Sequence, residues 1–218
     1  MSPAIIEILV LAGIAIFLVL RLKNVLGTRE GFEKPPLQES SPSKNNRDFR
    51  VIDGGEDTDI TENIDKKSPS ADALARMKRV DNGFLVTEFL SGARSAYEMI
   101  LMAFENGDLN EVEVFLDADV RDAFQQVINT RAEKKLKVVA EFYGIRELSL
   151  KSADFDEKTK IAELSVAFTG ELSSIVKNEE GEIIEGDAKQ VKRQKDTWTF
   201  SRDLSSNDPN WLLVATSS

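Results

Sequence analysis

The chain has 218 residues and a net charge of −10, with 41% hydrophobic residues, no cysteine and no histidine. That length allows one ordinary domain with additional segments, and that apolar share is enough to build a core. The lack of cysteine excludes a disulfide framework and thiolate chemistry, and the lack of histidine removes the commonest general base and transition-metal ligand. The charge is unevenly placed: residues 1–20 carry only Glu7, residues 21–80 hold 12 basic and 11 acidic side chains, and residues 81–218 hold 16 basic and 26 acidic. So acidic a C-terminal part argues against nucleic acid as a partner, because phosphate binding needs a basic surface.

Residues 4–20 are apolar apart from Glu7, with Ile5, Ile8, Leu9, Val10, Leu11, Ile14, Ile16, Phe17, Leu18, Val19 and Leu20 supplying the bulk. Seventeen helical residues reach roughly 25 Å, a little short of a ~30 Å hydrocarbon core. Leu22, Val25 and Leu26 extend the span if Arg21 and Lys23 snorkel to the interface. A cleaved signal peptide would need a basic stretch before the apolar run and small residues after it, and neither is present. Residues 1–27 are therefore expected to be a single-pass transmembrane anchor with a basic flank. Arg21, Lys23 and Arg29 follow the span, which places the remainder of the chain in the cytoplasm by the positive-inside rule.

Residues 28–70 are rich in Ser, Pro, Asn and charged side chains, with breakers at Pro35-Pro36, Pro42 and Gly54-Gly55. Residues 28–83 read as a flexible linker that cannot bury enough surface to order itself. Within it, 70–80 predicts a short helix with basic residues near its end, too short to be stable alone and read as a frayed lead-in to the domain.

The domain is expected over 84–218. Phe89, Leu90, Ala93, Tyr97, Ile100, Leu101 and Phe104 recur at helical spacing, capped by Thr87 or Asn82 and ended by Asn106-Gly107-Asp108. Leu109 to Leu116 predicts two further helical turns, and Asp117 or Asp119 caps a third helix. Strands follow at 136–150, 161–176, 189–203 and 211–216, separated by turn-rich stretches. In the second, Ala162, Leu164, Val166, Phe168 and Leu172 alternate with polar residues. Helices followed by antiparallel strands predict an α+β domain with its helices on a curved sheet.

Phe89-Leu90-x-Gly92-Ala93-x-x-Ala96-Tyr97 through Gly107-Asp108, together with Asp196-x-Trp198-Thr199-Phe200-x-Arg202-Asp203 and Asp208-Pro209-Asn210-Trp211, resembles the Tim44-like domain family across about 84–218. Gly181-Glu182 and Gly186-Asp187 also match that pattern. The resemblance is to alphaproteobacterial members with a membrane anchor and a short linker. It implies a cone-shaped, nuclear-transport-factor-two-like fold and a non-enzymatic adaptor at a bacterial inner (cytoplasmic) membrane. It also implies protein partners, namely a DnaK-class chaperone or a membrane insertase. The family's long chaperone-contacting region is replaced here by residues 28–80.

No catalytic, cofactor-binding or metal-ligating set emerges, and no cofactor is expected. Asp196 and Arg202, six residues apart on one strand, are the most enzyme-like pair, though a structural role suits them better. Leu164, Val166, Phe168, Trp198 and Phe200 either line a pocket for an acyl chain or peptide or form the core between sheet and helices. The acyl-chain reading makes a lipid- or small-ligand-binding module at the membrane the alternative to the adaptor. For topology, protease added outside intact cells is expected to leave the domain undigested, and its digestion there would reverse the assigned orientation.

Overall fold

The computed structural model describes residues 57–217. The expected anchor at 1–27 and most of the expected linker lie outside the described residues. Among the described residues no helix is long and apolar enough to cross a membrane.

In chain order, a one-turn helix α1 (Thr58–Thr61) precedes α2 (Pro69–Val80), the long α3 (Val86–Asn106) and α4 (Ala118–Glu133). Five strands follow: β1 (Lys137–Phe155), β2 (Ile161–Lys177), β3 (Ile183–Gly186), β4 (Lys192–Asp203) and β5 (Leu212–Ser217). All pair antiparallel in one sheet of order β1-β2-β4-β5, and the short β3 joins β2 beyond the reach of β4. The sheet does not close on itself. The expected α+β arrangement of helices on an antiparallel sheet is what forms.

The alternation read along 161–176 places Ala162, Leu164, Val166 and Phe168 on the buried face of β2. They pair with Arg202, Phe200, Trp198 and Asp196 of β4. Tyr97 of α3 stacks on Phe168 at 4.4 Å and tilts against Trp198 at 4.6 Å, while Phe89 meets Phe200 edge-on at 5.9 Å. Aromatic pairs of this kind add to the burial that holds helix to sheet. Gly170 makes the approach of Tyr97 feasible: a Cβ there would sit 3.0 Å from the tyrosine hydroxyl. Three register shifts, at Phe142/Gly144, Ile145/Glu147 and Leu150/Ser152, bend β1.

Three sequence expectations need correction, the third being the cap of α3 described below. First, Leu109–Leu116 is not two helical turns. Gly107 ends α3 in the left-handed conformation (φ 75°), Asp108 accepts from the Asn110 amide, and only a 3-10 turn forms at Glu113–Phe115. Leu109, Val112 and Leu116 are still buried, so their apolar spacing reflects a packed loop. Asp117 caps α4 as expected.

Second, the segment before residue 84 belongs to the fold, so neither a linker reaching residue 83 nor a frayed helix at 70–80 describes it. Ser68 caps α2 and Pro69 opens it. Leu74 and Met77 are completely buried, and the Ser70 hydroxyl accepts from the Ala153 amide of β1 at 3.0 Å. A twelve-residue helix that is marginal alone is stable here because tertiary contacts cover its apolar face.

Asp59 then ties three helices together. The residue preceding α3 is Leu85, which cannot cap it, and neither Thr87 nor Asn82 acts as the cap. The Asp59 carboxylate instead accepts from the Val86 amide (2.7 Å), the Thr87 amide (2.9 Å) and the Thr87 hydroxyl (2.7 Å), and pairs with Lys78 of α2 at 2.7 Å. Burial pushes its pKa up, but the bonds from Lys78, Thr87 and the two amides outweigh that and hold it at about 2. A carboxyl depressed below its unfolded value stabilises the fold above about pH 4, and that stability is lost as pH falls towards 2. Asp59→Ala should therefore cost about 1–2 kcal/mol in urea unfolding at pH 7, with the deficit shrinking between pH 4 and 2. An unchanged midpoint would remove Asp59 from this role.

Candidate functional site

The five residues offered as pocket lining are brought together, but as core. Leu164, Val166, Phe168, Trp198 and Phe200 are all at most 4% exposed. Phe200 also borders a surface concavity.

That concavity is a groove of about 460 Å³ between the N-terminal half of α3, the loop Asp81–Leu85 and the loop before β5. Helical spacing puts Leu85, Glu88, Phe89, Gly92, Ala96 and Met99 along its floor. Trp211 forms one wall, packed on Phe89 at 4.8 Å and Phe84 at 5.9 Å, and Phe115 closes the far side. Leu85 and Met99 in this lining are 41% and 45% exposed, so the groove presents apolar side chains to solvent. A Cβ on Gly92 would meet nothing within 4 Å, which leaves an unfilled notch at mid-groove. Contiguous exposed apolar surface of this kind marks an interaction site more often than isolated exposed residues do.

Arg202 frames the groove. It pairs with Asp81 at 3.2 Å and donates to the Asp208 carbonyl at 3.1 Å, fixing the loop that carries Trp211. Asp196 lies elsewhere on β4, buried, accepting from the Tyr97 hydroxyl (2.5 Å) and the Gln194 side-chain Nε2 (2.9 Å). The two residues proposed as an acid–cation pair thus have different partners. Desolvation raises the Asp196 pKa, only partly offset by the bonds from Tyr97 and Gln194; desolvation, with the Asp196 bond, raises that of Tyr97. No group of three potential metal ligands occurs among the described residues.

At the other end of β4 is a second hollow, of about 400 Å³, with Leu136, Val138, Leu172 and Val176 as apolar walls and Arg131, Lys192 and Glu105 as polar lining. Burial raises the Glu105 pKa, opposed by Arg131. Arg131 itself sits 4.5 Å from the centre of the Phe104 ring.

The Tim44-like domain model matches residues 70–218. The chain belongs to the Tim44-like domain family. The match begins at α2, in line with the packing of that helix into the core. An uncharacterised protein of Rickettsia prowazekii is 20% identical over 98% of this chain and 97% of its own length. The human mitochondrial import inner membrane translocase subunit TIM44 is 24% identical over 72% of this chain, which spans 35% of that longer protein. Among solved structures, the intermembrane space region of the chloroplast protein ARC6 is 14% identical and covers 59% of this chain and 94% of its own, with a TM-score of 0.41.

The groove was only partly legible. Phe89, Gly92, Ala96 and Trp211 fall within the motif that carries the family resemblance, yet Leu85 and Glu88 precede it and helical periodicity marks Leu85 and Met99 only as off the core face. The notch at Gly92 has no sequence signal beyond a glycine inside a helix.

The raised pKa of Asp196 has a definite sign. The carboxyl is favoured protonated in the fold, so its stabilising contribution is present below its unfolded value and lost as pH rises through its folded value. Asp196→Asn, which keeps an acceptor for Tyr97, should match or exceed the parent in melting temperature at pH 7. The gap should narrow towards pH 4. A large loss at pH 7 would mean that the charge itself is needed.

Proposed function

We propose that this chain is a membrane-tethered, non-enzymatic adaptor at the cytoplasmic face of a bacterial inner membrane. In this reading it holds a protein partner, a DnaK-class chaperone or a membrane insertase, close to sites of protein transport or quality control. The observation that carries the reading is the groove beside Trp211: an elongated, exposed apolar surface on a rigid helix, in a domain of the Tim44-like family. It suits an apolar helix or extended segment of another protein. Trp211 has the character of a hot spot, an aromatic anchor fixed by neighbours on both sides. The anchor at 1–27 supplies the tether in this proposal.

The ligand-binding alternative is supported by the second hollow, whose apolar walls and Arg131 suit an amphiphile with an anionic head. Native mass spectrometry of the purified protein distinguishes the two: a bound acyl chain displaced by Leu172→Arg supports the ligand module.

The adaptor reading is tested by in-cell crosslinking of the full-length chain at native abundance, with and without ATP depletion. Gly92→Leu provides the matched variant. Replacing a helical glycine is worth up to about 1 kcal/mol in favour of the helix, so the melting temperature should hold or rise. Filling the notch should still remove the crosslinked partner. Capture unaffected by Gly92→Leu would move the partner surface away from the groove.

A further inference from the structure

We propose that the groove has an occupant within its own chain: residues 47–53, Arg-Asp-Phe-Arg-Val-Ile-Asp, dock in it and compete with the partner. This inference rests on the adaptor reading of that groove and adds its regulation.

The first argument is where the described chain begins. Asp57 is held by Lys78 at 2.8 Å, and two residues later Asp59 bonds to the Val86 amide at 2.7 Å. Val86 adjoins Leu85, which lines the near end of the groove. Asp57, the first described residue, is therefore two residues from a contact that reaches the groove's near end.

The second argument is reach. Along α3 the groove runs from Leu85 to Met99, roughly 21 Å at 1.5 Å per residue. Seven extended residues, from Arg50 to Asp57, span about 23 Å. Residues 47–53 can thus lie alongside any part of the groove.

The third is chemical fit. Phe49, Val51 and Ile52 are the densest apolar cluster between residues 28 and 56. The groove is open over Gly92, where an added Cβ would meet nothing within 4 Å. Asp81 is already paired with Arg202, whereas Glu88 on the groove floor makes no ion pair among the described residues. Arg50, inside the apolar cluster, supplies the opposite charge.

A segment tethered this closely acts at an effective concentration on the order of mM, so even weak docking occupies the groove without a competitor. Partner affinity then falls by the fraction of molecules whose groove is open.

The test uses the full-length chain in its membrane, with a photo-crosslinking residue at the groove's far end, Met99→p-benzoylphenylalanine. Mixed isotope-labelled and unlabelled chains separate adducts within one chain from adducts between copies. The expected result is an adduct within one chain from position 99 to residues 47–53. It should be lost in Phe49→Ser/Ile52→Ser, with increased crosslinking to partner and stronger acrylamide quenching of the partly buried Trp211. Adducts to other proteins alone, unchanged by the double variant, would overturn self-docking and leave the adaptor reading standing. Adducts between two copies would assign the groove to self-association and overturn it as well. No adduct of any kind would count against both readings.

Discussion

Every strand but β5 hydrogen-bonds to β2, and one face of β2 is apolar along its first half. That is the constraint from which the rest of the structure follows. A strand so placed cannot leave Ala162, Leu164, Val166 and Phe168 in water, so its neighbours must continue the same face. β4 does so with Trp198 and Phe200, and β5 with Leu213 and Ala215. The sheet then needs a cover, and α3 supplies it with Phe89, Ala93, Tyr97, Ile100 and Leu101. The price of bringing Tyr97 so close is a buried hydroxyl, satisfied by Asp196 on the same sheet face, which is why a carboxylate is tolerated in an otherwise apolar layer.

Much of this was legible because the periodicities are long and clean. β2 alternates over most of its length, and α3 repeats its apolar face for about five turns. Where the signal failed, the reason was physical. Leu109–Leu116 has apolar residues at spacings that suit a helix, but in a loop pressed against β5 burial alone produces the same composition. The α2 helix is weak on its own propensity, and its stability is tertiary. Its alanines are small because they pack closely, with Ala73 at 1% exposure.

The candidate site was harder to read for a related reason. Sequence alternation finds core, so the most apolar strand residues were the natural pocket candidates, and they turned out to fill the interior. The groove draws chiefly on residues beside the core: Leu85 before α3, the flank of α3 holding Gly92 and Met99, and a tryptophan on a loop held by Arg202. The link from Asp59 to the start of α3 was equally invisible, since a cap 27 residues away in sequence leaves no local pattern.

That cap also decides how the domain meets mechanical load. A pull arriving along the chain from upstream reaches Asp57 and Asp59 before any part of the sheet. It is taken first by charge-assisted bonds to Lys78 and to the first turn of α3. These can open while the β2–β4 ladder, whose bonds would have to break together, remains intact. The domain is thereby furnished with a weak link in series with a strong body. Tension from upstream would load α1 and α2 before the β2–β4 ladder.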